Sequence, residues 1–257
     1  AVLLGAALVL GGCSSDTEAG RLAMPSPVTE EGEHTLALWQ GAWIAALATG
    51  LVVWGLIFWV VVRYRRRHDD EVPVQTRYNL PMEILYTALP LLIVGVLFVF
   101  TVQAQNKVLA KADDGQPAHT IDVVGQKWSW TFNYRDSLSR EDPGTDVWEA
   151  GTIRQSPDLY LPVDESVRFN LSSPDVIHSF WVPAFYFKRD VIPGHPNSFD
   201  LTPTKTGTFI GKCAELCGTY HSAMIFKVHV VSKGEYEAKL AELAAKGQTG
   251  TNYGSGG

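Results

Sequence analysis

Apolar residues follow two different patterns along the chain. In the first part they run together: from Thr35 to Val62 there is no charged residue, and none from Ile84 to Asn106. Each stretch exceeds the ~20 apolar residues that cross a bilayer. After about Lys107 the runs give way to alternation. Trp128, Trp130, Phe132 and Tyr134 are interleaved with Ser129, Thr131 and Asn133, and a period of two predicts a strand with one aromatic face. Further strands are predicted at Leu159–Val163, Val167–Ser172, Ser179–Val182, Asn197–Thr202, Thr206–Lys212 and Met224–Val231. Pro, Gly, Asp and Asn punctuate them, and many short strands at such spacing predict a sandwich or barrel. A short amphipathic helix is predicted at Lys233–Ala245. The Gly/Ser/Thr-rich tail Gly247–Gly257 is expected to be disordered.

The apolar runs define a first span over residues 36–63 and a second over 83–106. Trp39, Trp43, Trp54 and Trp59 stand near the ends of the first, where Trp favours the membrane interface. Pro90 lies inside the second, tolerable where neighbouring helices satisfy the carbonyl it frees. The connecting loop, 64–82, carries Arg65, Arg66, Arg67 and Arg77, with Arg63 at its edge. Loops rich in Lys and Arg stay cytoplasmic, so both termini are expected outside a plasma membrane. The chain begins Ala1-Val2-Leu3-Leu4 and runs apolar to Gly11-Gly12-Cys13. Residues 1–12 read as the h-region of a truncated secretory signal. The small pair before Cys13 resembles a bacterial lipobox, in which the Cys is acylated and becomes the mature N-terminus. A generic signal with an incidental Cys is the alternative. Residues 14–35, rich in Ser, Pro, Gly and Glu, are expected to form an exposed linker.

Composition sharpens this picture. Charged residues make up 19% of the 257, against ~25% in soluble domains. The deficit sits in the two spans, which excludes a purely soluble protein. The net charge of −6 argues against nucleic acid as a partner. Three cysteines are too few for a disulfide scaffold. Asp136, Glu141, Asp142, Asp146, Glu149, Asp158, Asp164, Glu165 and Asp175 face only Arg140, Arg154 and Arg168. Nine acids against three bases predict either an ordinary solvated surface or a docking field for a basic partner.

The chemistry concentrates in Cys213-Ala214-Glu215-Leu216-Cys217-Gly218-Thr219-Tyr220-His221-Ser222-Ala223-Met224. Thiolate and thioether ligands with imidazole select copper over hard cations. A mononuclear blue-copper site needs one Cys, so the second thiol points to a dinuclear centre and to a further imidazole. His178, in Asp175-Val176-Ile177-His178-Ser179, is the candidate. A disulfide leaves His221 and Met224 unexplained, and a zinc tetrahedron of Cys213, Cys217, His221 and His178 has no need of Met224. His119, His195 and His229 have no partner at ligand spacing. The chain has no Cys-x-x-Cys-His, so any c-type haem belongs to another protein.

Cys-x-x-x-Cys-x-x-x-His-x-x-Met, the preceding Asp-Val-x-His-Ser and the upstream Trp-x-Trp at Trp128 together resemble subunit II of the haem–copper cytochrome c oxidases. The lipobox and the acidic stretch between Asp136 and Leu159 resemble actinobacterial members. The resemblance covers nearly the whole chain. It implies a two-helix transmembrane hairpin, then an all-β, cupredoxin-like Greek-key barrel over 107–232, then the helix and tail of 233–257. It implies a dinuclear copper centre, CuA, on His178, Cys213, the Glu215 backbone carbonyl, Cys217, His221 and Met224. The Glu215 carboxylate matches one that reaches a magnesium ion shared with subunit I. Trp128 matches the residue that takes electrons from cytochrome c, or from a haem c domain of a cytochrome bc complex. Glu83 matches a carboxylate at the mouth of a proton path into the haem-bearing subunit I. The implied activity is that of a respiratory cytochrome c oxidase, with the oxygen chemistry in subunit I. A membrane-anchored copper-delivery protein and a copper-free quinol-oxidase relative are the competing readings; the paired thiols and imidazoles argue against both.

Overall fold

The computed structural model describes residues 17–112, 116–135 and 146–254. The signal-peptide residues 1–12 and the lipidation candidate Cys13 lie outside the described residues, as do Asp136, Glu141 and Asp142. Ala37–Asn106 form one compact unit, and the flanking segments form another.

Two long helices supply the first unit. Helix α1 spans Glu30–Arg63 and α2 spans Leu80–Val108. At ~1.5 Å per residue, 34 and 29 residues give roughly 51 and 44 Å, more than the ~30 Å of a bilayer's hydrocarbon core. No residue between Ala37 and Asn106 is buried. Leu51 is 78% exposed, and Trp54 and Phe58 are similar. Helices apolar on every side, and uncovered among the described residues, belong in lipid rather than in a soluble core. Both ends are well started. Thr29 Oγ1 accepts from the Gly32 N–H at 3.0 Å, and Glu30, Glu31 and Glu33 sit at the positive N-terminal end of α1. At α2, Glu83 Oε1 accepts from the Asn79 N–H while Asn79 Oδ1 accepts from the Met82 N–H. Glu83 thus helps to cap the helix it begins.

Among the described residues, the second unit contains ten strands in two five-stranded sheets. The strands are β1 His119–Gln126, β2 Ser129–Tyr134, β3 Val147–Ala150, β4 Asp158–Pro162 and β5 Val167–Ser172. They continue with β6 His178–Val182, β7 Phe187–Val191, β8 Asn197–Leu201, β9 Gly207–Cys213 and β10 Ile225–Val231. One sheet has the order β3-β2-β1-β5-β8, the other β4-β10-β9-β6-β7. β1–β5 and β10–β4 pair in parallel and the rest antiparallel, so the chain repeatedly crosses between the two sheets, as in a cupredoxin-like domain. Aromatic rings fill the space between them: Trp130, Phe132, Phe169, Phe180, Phe199 and Phe226 are all buried and in edge or stacked contact. Helix α3, Lys233–Ala245, closes one side with Tyr236, Leu240 and Leu243. A reciprocal capping box between Ser232 and Glu235 starts it.

Three local expectations are revised. The strand at Trp128 begins one residue later: Trp128 lies in the β1–β2 turn, and all six residues of β2 are buried. Its polar face is covered because the Gly/Ser/Thr-rich tail is not loose over its described length. Asn133 and Asn252 exchange two hydrogen bonds, Arg135 Nη1 donates to Thr251, and the Trp148 N–H donates to the Gln248 carbonyl. Nor is the segment before α1 wholly exposed. Pro27, Val28 and Thr29 are buried, and the Val28 and Glu30 N–H groups donate to the Ala184 and Thr202 carbonyls. Composition read each segment as polar; backbone pairing to distant strands decides otherwise.

Candidate metal centre

Strand pairing brings the donors together. Cys213 ends β9 opposite Phe180 of β6, two residues beyond His178. The Cys213 N–H donates to the Met224 carbonyl at 3.0 Å, and the Ala214 N–H donates to the Ser179 carbonyl. The segment between Cys213 and Met224 is therefore a closed loop, pinned where β9 ends and β10 begins. A 3₁₀ turn at His221–Ala223 returns the chain to β10.

Within this loop Cys213 Sγ lies 3.9 Å from His178 Nδ1 and 3.9 Å from Cys217 Sγ. Cys217 Sγ lies 3.7 Å from His221 Nδ1 and 3.8 Å from Met224 Sδ. The Glu215 carbonyl oxygen is 3.2 Å from Cys213 Sγ. Metal–sulfur bonds of ~2.3 Å and metal–nitrogen bonds of ~2.0 Å make the edges of a tetrahedron ~3.5–3.8 Å. The spacings of 3.7–3.9 Å between the thiols, imidazoles and thioether lie close to such edges. Both cysteines are reduced. His178, Cys213, Cys217 and Met224 are buried, while His221 is half-buried. Every candidate copper ligand read from the sequence is thus brought to one place. Glu215 itself is exposed.

The electrostatics suit a metal. Burial raises both thiols, but for Cys213 the hydrogen bonds led by His178 outweigh it and bring the thiol down to about 6. Burial and the neighbouring Cys213 thiolate push Cys217 up to about 12. Two thiolates side by side in a dry pocket repel, and a cation placed between them removes that penalty. Beneath the loop, Trp130 donates from Nε1 to the Met224 carbonyl at 3.4 Å and meets the His178 ring edge-on.

Sequence reasoning missed one member of the site. Asp175 was counted among the surface acids, yet its Oδ1 lies 2.9 Å from His178 Nε2 and its Oδ2 accepts from the Lys127 N–H at 2.7 Å. Burial raises the Asp175 carboxyl, but these hydrogen bonds outweigh it and hold it below its ordinary value. Three-residue spacing from a ligand was the available signal. Other acids of that stretch are also engaged inside the domain. Asp146 is buried against Arg135, Glu149 pairs with Lys239, Asp158 with His229, and Glu165 with His119 and Lys233. The bases that answer these acids come from distant strands and from α3. His119 and His229 gain structural partners in the same way.

Trp128 is half-buried at the rim of the loop, and its Nε1–H donates to the Cys217 carbonyl at 3.1 Å. Glu83 lies in the other unit, at the start of α2.

Residues 119–231 match the family model described as cytochrome c oxidase subunit II, periplasmic domain. A protein of Streptomyces avermitilis named probable cytochrome c oxidase subunit 2 is 49% identical, over 90% of this chain and 81% of its own length. Cytochrome c oxidase subunit 2 of Mycobacterium bovis is 38% identical, over 94% of this chain and 80% of its own. Among solved structures, the periplasmic domain of cytochrome oxidase subunit II of Bradyrhizobium japonicum aligns with a TM-score of 0.44 and 29% identity. That alignment covers 51% of this chain and 96% of the other.

Proposed function

The chain belongs to the cytochrome c oxidase subunit II family, a component of that enzyme, and from this premise we propose that it is the subunit through which electrons reach a respiratory oxidase. The observation that carries the reading is the donor set: two thiols, two imidazoles, a thioether and a carbonyl, with neighbouring donors 3.2–3.9 Å apart. Cys213, Cys217, His178, His221, Met224 and the Glu215 carbonyl would together hold two copper ions. Copper held there supplies reversible one-electron chemistry. The protein's part is to keep the site rigid and dry, so that little reorganises when charge arrives.

Trp128 is the point of electron uptake from cytochrome c or a haem c domain, and the electron leaves toward haem in subunit I. There O2 is reduced to water with proton pumping. The exposed Glu215 carboxylate is suited to a magnesium ion at the subunit I boundary. Glu83, on the arginine-loop side of α2, is suited to proton uptake as well as to capping. The arginine loop supports a topology with both termini outside a bacterial plasma membrane, with Cys13 as lipid anchor and the other oxidase subunits as neighbours.

Metal analysis and electron paramagnetic resonance of the copper-loaded full chain test this reading. Two coppers per chain with a mixed-valence dinuclear signal are expected, and Cys213→Ser or Cys217→Ser should abolish the visible spectrum. One copper or one zinc per chain overturns it.

A further inference from the structure

The loop that carries the metal donors also grips Trp128. Between Cys217 and His221, three contacts address the one indole. The Cys217 carbonyl accepts its Nε1–H at 3.1 Å. Gly218 has φ +120°, and a Cβ there would stand 3.1 Å from Nε1, so the ring packs where only glycine leaves room. The Tyr220 ring meets the indole edge-on, with centroids 5.0 Å apart and planes at 78°. Tyr220 is itself 46% exposed, and its hydroxyl has no hydrogen-bond partner among the described residues. An exposed ring with no polar anchor is held in place by its edge-to-face contact.

We propose that Tyr220 is a positioning residue for electron uptake: its ring holds the Trp128 indole in register with the Cys217 carbonyl. The proposal rests on the reading of Trp128 given above. In the step it serves, one electron leaves a ferrous c-type haem, which becomes ferric, and the centre held by Cys217 is reduced by one. No proton or heavy atom is transferred. The indole is the half-buried link between the outer surface and a donor residue, and its hydrogen bond connects the ring directly to Cys217. Without the Tyr220 ring, the turn at Lys127–Trp128 keeps its backbone anchor to Asp175, but the indole loses the one aromatic contact it has among the described residues.

The test uses the assembled oxidase with ruthenium-labelled soluble cytochrome c as flash-triggered donor, in Tyr220→Phe, Tyr220→Ala, Trp128→Phe and the Tyr220→Ala/Trp128→Phe double variant. Tyr220→Phe keeps the ring and should match the parent. Tyr220→Ala should slow transfer within the preformed complex by about 2- to 10-fold, the population ratio an edge-to-face pair supports. The donor Kd and the copper spectrum should not change. In the Trp128→Phe background the Ala substitution should add nothing. A second readout needs no metal: indole Nε1–H exchange by NMR of the ¹⁵N-Trp-labelled, metal-free full chain in nanodiscs, with the Trp128 signal assigned by its loss in Trp128→Phe. That proton should exchange faster in Tyr220→Ala than in the parent or Tyr220→Phe.

Parent-rate transfer in Tyr220→Ala while Trp128→Phe is slow overturns the proposal and leaves the Trp128 reading intact. Altered copper spectra in Tyr220→Ala also overturn it, because the residue would then act on the metal loop itself. A weakened Kd with an unchanged transfer rate makes Tyr220 a docking contact and overturns it as well. Parent-rate transfer in Trp128→Phe sinks the underlying reading, and unchanged indole exchange in Tyr220→Ala removes the positioning role independently.

Discussion

The Asp175 carboxylate meets the His178 imidazole at 2.9 Å through Nε2, the ring nitrogen remote from the thiols, while Nδ1 faces Cys213 Sγ. A carboxylate behind a ligating imidazole fixes its tautomer and orientation and raises its basicity. Asp175→Asn keeps the shape but loses the charge and can present its amide nitrogen to the ring. Copper retention should weaken about 10- to 100-fold, read by titration with a copper-selective chelator. Asp175→Glu, with a longer arm, should restore part of it.

Arg168 and Asp200 pair across β5 and β8, with Nη2–Oδ2 at 2.7 Å and Nε–Oδ1 at 2.8 Å. Asp200 also accepts from the Ala112 N–H. Burial raises the Asp200 carboxyl, but the Arg168 hydrogen bonds outweigh it and hold it below the ordinary 3.8. A depressed folded-state value stabilises the fold above the unfolded value and is lost as pH falls through the folded one. Asp200→Asn should therefore cost about 2 kcal/mol at pH 7, since the partly buried Arg168 loses its charged partner. In denaturant titrations the gap to the parent should close as pH drops below 4. A gap that stays constant down to pH 2 would contradict the assignment.

Truncation after Gly247 removes the segment that hydrogen-bonds Asn133, Arg135 and Asp146. At roughly 1 kcal/mol net per hydrogen bond, the loss should be about 2–4 kcal/mol. Thermal unfolding of the full chain and the truncated chain in the same detergent reads this directly. An unchanged Tm would mean that the tail contributes nothing.

The arginine-rich loop between the helices should be cytoplasmic. A cysteine placed at Asp69 should resist an impermeant thiol reagent in intact cells and react after permeabilisation. Ready labelling of intact cells would reverse the topology.

The two spans were legible from the sequence because an apolar run of that length needs no partner to define it; α1 only starts earlier than expected, where Thr29 caps it against the β domain. Most strands were legible to within a residue. β1, β3 and β7 were not. His119–Gln126 mixes periods, Val147–Ala150 is four residues long, and Phe187–Val191 has a polar centre. Such strands exist because neighbouring strands offer them hydrogen bonds, which no local pattern records.

The sequence by itself determined the chemistry of the centre. Cys213, Cys217, His221 and Met224 lie within twelve residues, so one loop delivers four donors and their spacing can be read directly. What only the tertiary structure decided are the relationships that cross the sheets. His178 reaches Cys213 from 35 residues away, and Trp128 reaches Cys217 from 89. The acids of 146–175 find their bases on other strands and on α3, and the tail covers the polar face of β2 from more than a hundred residues away. The physical reason is the same in each case. A ligand loop or an apolar span is specified by neighbours in the chain, whereas a charge, a ring edge or a strand's second face is given its role by whatever the fold sets against it.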